Sequence, residues 1–158
     1  MFTLYPHQVE ALDAVKGQDS CAFYLDMGLG KTFVGSEKMF QLGKTANIVI
    51  CQKSKVDDWV EHFKEHYDCV VFDLTKKHEF ECGLFALKIP DEATLKPIMT
   101  IGVINYELAW RRPELLNLKD FTLMLDESSI IQNRKTKQSK FVMRLNPAHV
   151  ILLSGTPT

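Results

Sequence analysis

Residues Ile48-Val49-Ile50-Cys51 are apolar at four consecutive positions, and so are Val150-Ile151-Leu152-Leu153. A strand that shows one face to water alternates apolar and polar residues, whereas an unbroken apolar run marks a strand covered on both faces. A sheet sandwiched between two layers of helices buries its strands in this way. The sequence predicts strands at Cys21–Leu25, Asn47–Cys51, Cys69–Phe72, Met99–Ile104, Phe121–Leu125 and Val150–Leu153.

Helical patterns separate these runs. An opening helix is expected over roughly residues 6–16, with Pro6 in its first turn and Val9, Leu12 and Val15 on one side. A second spans residues 32–42 and ends at Gly43, a C-cap residue. A third spans 55–66 behind Ser54 as N-cap, with Val56, Trp59, Val60 and Phe63 on one face, where Trp59 and Phe63 read as core. A fourth covers 136–145, bringing Phe141, Val142 and Leu145 together. Residues 73–98 are broken by Pro90 and Pro97 and fit a loop, a hairpin or a short helix. Alternation of strand and helix implies a three-layer α/β domain with a mainly parallel sheet. At 158 residues the chain fits one domain, residues 1–158, with a core that needs no staples.

Between the first strand and the second helix lies Asp26-Met27-Gly28-Leu29-Gly30-Lys31-Thr32. Strand, glycine-rich loop and helix in this order form a phosphate-binding loop. Gly28 and Gly30 lack Cβ atoms, so the backbone of Met27, Gly28, Leu29 and Gly30 can turn its N–H groups toward phosphate oxygens. The helix start adds its positive dipole end. Lys31 supplies a mobile charge to the β- and γ-phosphates, and the Thr32 hydroxyl is placed to ligate Mg²⁺. The strict pattern asks for glycine at position 25, where this chain has Leu25; a shorter helicase-type form does without it. The alternative is a glycine-rich turn ending in a chance Gly-Lys-Thr.

The run Phe121–Leu125 ends in Asp126-Glu127. Two acids at the carboxyl edge of a buried strand cost desolvation and call for a cation or a mechanistic role. In phosphate-loop ATPases the first holds Mg²⁺ through its water shell, and the second orients and deprotonates the attacking water. An acidic turn after a strand is the plainer alternative.

With these residues in order, the chain resembles the Swi/Snf-like helicase-related ATPases of superfamily two, in particular their first RecA-like motor domain. Tyr5-Pro6-His7-Gln8 looks like the opening motif, in which Gln8 would read the adenine edge. Asp26–Thr32 is similar to motif I, Ile48–Ser54 with Trp59 to motif Ia, and Gly102-Val103-Ile104-Asn105-Tyr106-Glu107 to the next motif. Leu125–Ser129 with Asn133 resembles motif II, and Leu152-Leu153-Ser154-Gly155-Thr156-Pro157 resembles motif III, the coupling segment. Motif II usually continues Ala-His, where this chain has Ser128-Ser129, which puts the residue coupling the nucleotide site to motif III in doubt.

The resemblance implies Mg·ATP as cofactor and nucleic acid, double-stranded DNA first, as partner. Lys53, Ser54, Asn105 and Tyr106 would grip phosphates without reading bases. The chain ends at Thr158, directly after motif III, so a second RecA-like domain carrying the arginine finger is expected in cis or in trans. DNA binding and hydrolysis by this half alone should be weak.

Other features constrain function less. The net charge of −1 gives no bulk attraction for nucleic acid, so any basic surface must be local. Arg134, Lys135, Lys137, Lys140 and Arg144 form a run without an acid that either touches a phosphodiester backbone or is a solvated helix face. His62, His66, Cys69, His78 and Cys82 could suggest zinc, but no motif supports it over a solvated helix face and an isolated thiol. No Cys-x-x-Cys pair, signal peptide or apolar run of 18 residues occurs, so a reducing cytoplasm, DNA-associated and away from membranes, is expected. A kinase or GTPase would need a lid or an Asn-Lys-x-Asp guanine reader, and neither is visible. A nucleotide-binding module that has lost hydrolysis is the remaining alternative, opposed by the intact Lys31, Thr32, Asp126 and Glu127.

Overall fold

The computed structural model describes residues 3–25, 30–89 and 98–155. Six strands form one sheet: β1 (Cys21–Tyr24), β2 (Ala46–Cys51), β3 (Val70–Asp73), β4 (Thr100–Asn105), β5 (Thr122–Asp126) and β6 (His149–Ser154). Their order is β1-β6-β5-β2-β4-β3 and every pair is parallel. All six anticipated strands are present, their ends within one residue of those expected. The chain is α/β, as its apolar runs require. All of β2 and β5 is buried, the burial that their unbroken apolar character predicts.

Helices α1 (Pro6–Ala14), α2 (Lys31–Leu42) and α3 (Val56–His66) cover one face. There Val34, Met39, Trp59 and Phe63 pack on Val49, Val103, Met124 and Leu153. Helices α4 (Lys77–Leu87), α5 (Tyr106–Ala109) and α6 (Lys137–Arg144) cover the other, with Phe80, Leu87, Phe141 and Val142 against Ile48, Ile50, Leu123 and Leu125. Connections moving one way across the sheet run over the first face and those returning run over the second, as right-handed crossovers demand. The chain therefore leaves β1 and β2 toward one layer and β4 and β5 toward the other. A crevice opens along the carboxyl edge of the sheet, the usual ligand position in such folds.

Local signals explain the helix ends. Gly43 adopts φ 74° and caps α2, as its position predicts. Thr136 caps α6 by accepting from the Ser139 N–H. Ser54 does not cap α3. It lies in a short 3₁₀ turn, Lys53–Lys55, closed by the Lys55 N–H donating to the Gln52 carbonyl, and Lys55 takes the cap position. Asp57 and Asp58 in the first turn of α3 complement its dipole instead. Part of the open stretch 73–98 is α4, whose Phe80, Gly83 and Leu87 are buried on the sheet at helical spacing; residues 90–97 lie outside the described set. No helix among the described residues is long and apolar enough to cross a membrane.

Candidate nucleotide site

Gly30 stands at the N-cap of α2 with φ 72°, a left-handed conformation that a glycine adopts freely. A Cβ there would also collide with the Gln8 amide. Lys31 and Thr32 follow in the first turn. Met27, Gly28 and Leu29, expected to cradle phosphates, lie outside the described residues, as does Thr156.

The acid pair meets this helix start. Lys31 Nζ is ion-paired with Glu127 and lies 3.5 Å from Asp126 Oδ1. Glu127 leaves β5 at φ 54°, ψ 56°, a left-handed backbone that costs a non-glycine residue about 1–2 kcal/mol. Strain of this kind persists where the surroundings over-determine the conformation, often at functional sites. Lys31, Thr32, Asp126 and Glu127 line one cavity of ≈ 560 Å³, together with Gln52, Lys55, Trp59 and His62.

Asp126 is only 5 % exposed and held from two sides. The Trp59 indole N–H donates to its Oδ2 at 2.9 Å, and the Tyr106 hydroxyl donates to its backbone carbonyl at 2.8 Å. Its Oδ1 is buried without a hydrogen-bond partner. A buried carboxylate oxygen with no hydrogen bond is costly unless a cation meets it, and here the Lys31 ammonium does so at 3.5 Å. Asp126 Oδ1 and the Thr32 hydroxyl are hard oxygen donors of the type Mg²⁺ takes alongside phosphates and water, so the residues fit that ion. Among the described residues no group of three or more His, Cys, Asp or Glu side chains is arranged to hold a metal by itself.

His62 Nε2 lies 2.9 Å from Ser36 Oγ, and Ser36 Oγ donates to the Thr32 carbonyl at 2.7 Å. The serine's single proton is spent there, so the imidazole is the donor to it, through Nε2–H. Burial, with the neighbouring His66, pushes the His62 pKa down to about 4, so the ring is neutral near pH 7. Burial and then the nearby acids, Asp126 first, push the Cys51 thiol up to about 12, which makes it an inert core group. Burial likewise raises the Tyr106 phenol.

Gln8 reaches the same loop. It is 3 % exposed, its Nε2 donates to the Gly30 carbonyl at 3.2 Å, and its Oε1 accepts from the Tyr5 N–H at 2.7 Å. Ser154 is buried beside the loop's entry, its carbonyl accepting from the Leu25 N–H at 3.1 Å, with Gly155 following. Strand pairing of β1 with β6 thus brings Ser154 beside Leu25.

The four nucleic-acid candidates divide. Lys53 and Asn105 line a second cavity of ≈ 500 Å³ at the carboxyl ends of β2 and β4, with Thr75 and Arg111. Ser54 is exposed beside it. Tyr106 corrects the expectation that its hydroxyl faces phosphates: it is 4 % exposed and its hydroxyl is committed to Asp126. Arg111, which sequence reasoning passed over, joins the groove because α5 is a single turn that carries it round from β4. Trp59, read as core, is core and also a donor to the acid pair. Nothing in an amphipathic pattern distinguishes an indole that only packs from one that also donates.

Comparison with known proteins agrees with the fold. The family described as SNF2-related domain matches residues 11–158. An uncharacterized ATP-dependent helicase of Bacillus subtilis, YqhH, is 28 % identical over 164 residues, covering 99 % of this chain and 27 % of that protein. The TATA-binding protein-associated factor mot1 of Aspergillus fumigatus is 28 % identical over 153 residues, covering 84 % of this chain and 8 % of the relative. Among solved structures, the Sulfolobus solfataricus SWI2/SNF2 ATPase core in complex with dsDNA superposes with a TM-score of 0.72 at 25 % identity, covering 99 % of this chain and 32 % of that one. The chain therefore spans about a third or less of each of these relatives.

Proposed function

The chain belongs to the SNF2-related domain family, and from that premise we propose that it is the ATP-binding half of a DNA-dependent ATPase motor. The observation that carries this reading is the convergence of Lys31, from the start of α2, with Asp126 and Glu127, from the end of β5, in one cavity. Lys31 would meet the β- and γ-phosphates, the N–H groups at the start of α2 would bind phosphate oxygens, and Thr32 and Asp126 would hold a magnesium ion. That ion, when bound, neutralises charge on the transferred phosphoryl group. Glu127 orients the attacking water and takes its proton. Lys53, Asn105 and Arg111 offer cationic and polar groups for a phosphodiester backbone, in a groove that Asp57 and Glu107 also line, with Arg111 paired to Glu107.

In-line transfer also needs positive charge beyond the γ-phosphate, and an arginine finger there is worth ~10³–10⁵ in rate. By the family resemblance it comes from a second RecA-like domain. Residues 1–158 alone should bind Mg·ATP, hydrolyse it slowly and respond little to DNA. Adding the second domain, in cis or in trans, should produce a DNA-stimulated rate that Glu127→Gln abolishes. Fast DNA-stimulated turnover by residues 1–158 alone would count against the half-motor reading, and failure to bind Mg·ATP would end it.

A further inference from the structure

Helix α3 belongs to none of the groups that touch nucleotide in the reading above, yet two of its side chains, one turn apart, reach the two residues assigned to the metal. Trp59 donates to Asp126 Oδ2, and His62 donates to Ser36, whose hydroxyl holds the Thr32 carbonyl. We propose that Trp59 is a positioning residue for the metal centre, committing one oxygen of Asp126 so that the other alone faces the cation, with His62 steadying the first turn of α2. This rests on the assignment of the cavity to Mg·ATP.

The argument is geometric. A carboxylate at a strand end can rotate about χ2 and present either oxygen. The indole N–H is a donor only, so the oxygen it meets must accept, and the bond fixes the plane of the group. Trp59 is itself immobile, 3 % exposed and stacked on Phe63 with ring centroids 5.6 Å apart. Tyr106, from the opposite layer of helices, holds the carbonyl of the same residue. The indole bond thereby restrains χ2, while the tyrosine fixes the backbone from which the side chain springs. Oδ1 is left buried with no hydrogen bond, met only by the Lys31 ammonium at 3.5 Å. Supporting shells of this kind set the orientation and basicity of metal-holding groups.

The chain has two tryptophans, Trp59 and Trp110, which makes the test direct. Trp59→Phe keeps an aromatic ring in the core and removes only the donor. Calorimetric titration of ATP across a magnesium series should show the half-saturating Mg²⁺ concentration rising at least threefold, with ATP affinity in chelator unchanged. A purely structural role would weaken both together, and an unaltered magnesium dependence in a folded variant would overturn the proposal. If Trp59→Phe fails to fold, Trp110→Phe leaves a single indole N–H resonance from Trp59. That resonance should move when Asp126→Ala is introduced, and again when Mg²⁺ is added to the ATP-bound chain. A signal indifferent to Asp126→Ala would overturn the contact even if nucleotide failed to bind, so the two readings fail separately.

Discussion

The Lys31 ammonium is ion-paired with Glu127 while lying 3.5 Å from Asp126 Oδ1, so the cation expected at a nucleotide's phosphates is shared with both carboxylates of the strand end. Phosphate must compete with Glu127 for it. The Glu127 side chain is about a third exposed, so its pair with Lys31 is worth about 1 kcal/mol. Glu127→Gln should therefore tighten Mg·ATP binding by about threefold to tenfold while abolishing turnover. Lys31→Ala should weaken binding at least tenfold with the fold intact, because a charge-assisted contact is worth ~1.5–3 kcal/mol. Titration calorimetry on the two folded variants checks both; weaker binding by Glu127→Gln would contradict the competition.

Gln8 ties α1 to the phosphate loop, and removing its amide strands the Gly30 carbonyl and the Tyr5 N–H. Tyr5 is exposed and both bonds are only part-buried, so the two losses together cost about 1–2 kcal/mol. Gln8→Ala should lower the melting temperature by about 3–8 °C and weaken nucleotide binding through the loop. Each amide donor and acceptor has one further hydrogen-bonding position, so Gln8 can still read adenine, and ATP should be preferred over GTP in the parent chain. Equal affinities for the two nucleotides would remove the adenine role while leaving the loop-anchoring role standing.

His62 gives stability a pH dependence of definite sign. Its pKa is lowered from an ordinary value near 6.5 to about 4. Between those values the unfolded chain binds a proton that the folded chain excludes, so stability rises with pH across the window. It is fully present above pH 6.5 and lost as pH falls toward 4. The ring borders a solvent-filled cavity, which discounts the effect to on the order of 1–3 kcal/mol. Urea titrations from pH 7 to 4.5 should show this loss, and His62→Gln should flatten it relative to the parent. A parallel decline in both chains would assign it to other groups.

Lys53 and Arg111 share the second groove. If they neutralise phosphates, Lys53→Ala should weaken duplex binding uniformly across sequences and reduce the slope of log affinity against log salt by about 1. Fluorescence anisotropy at several salt concentrations measures that slope. An unchanged slope would leave Lys53 as an ordinary solvated lysine.

How much of this was legible beforehand depends on range. The six strands were readable because burial on both faces writes itself into consecutive residues such as Ile48–Cys51. Gly30, Lys31 and Thr32 were readable as a helix start because a left-handed N-cap position favours glycine directly before the helix. Residues 73–98 were not, because α4 owes its place to Phe80 and Leu87 packing on a sheet completed elsewhere in the chain. Ser54 was misread as a cap because its composition fits, while the 3₁₀ turn of Lys53–Lys55 already closes that corner.

By itself the sequence determined the α/β alternation, the glycine-lysine-threonine start of α2 and the acid pair at the end of β5, since each is encoded among near neighbours along the chain. Only the tertiary structure decided that Trp59 would hold Asp126 across 67 positions and that Lys31 would meet Glu127 across 96. It likewise turned the Tyr106 hydroxyl inward to Asp126 and away from any nucleic acid. Hydrophobic periodicity records how a residue partitions between water and core, and it is blind to which distant polar atom a buried N–H or O–H must find. That choice is made when the parallel sheet aligns the carboxyl ends of β2, β4 and β5 and a buried donor, denied water, takes the acceptor placed beside it.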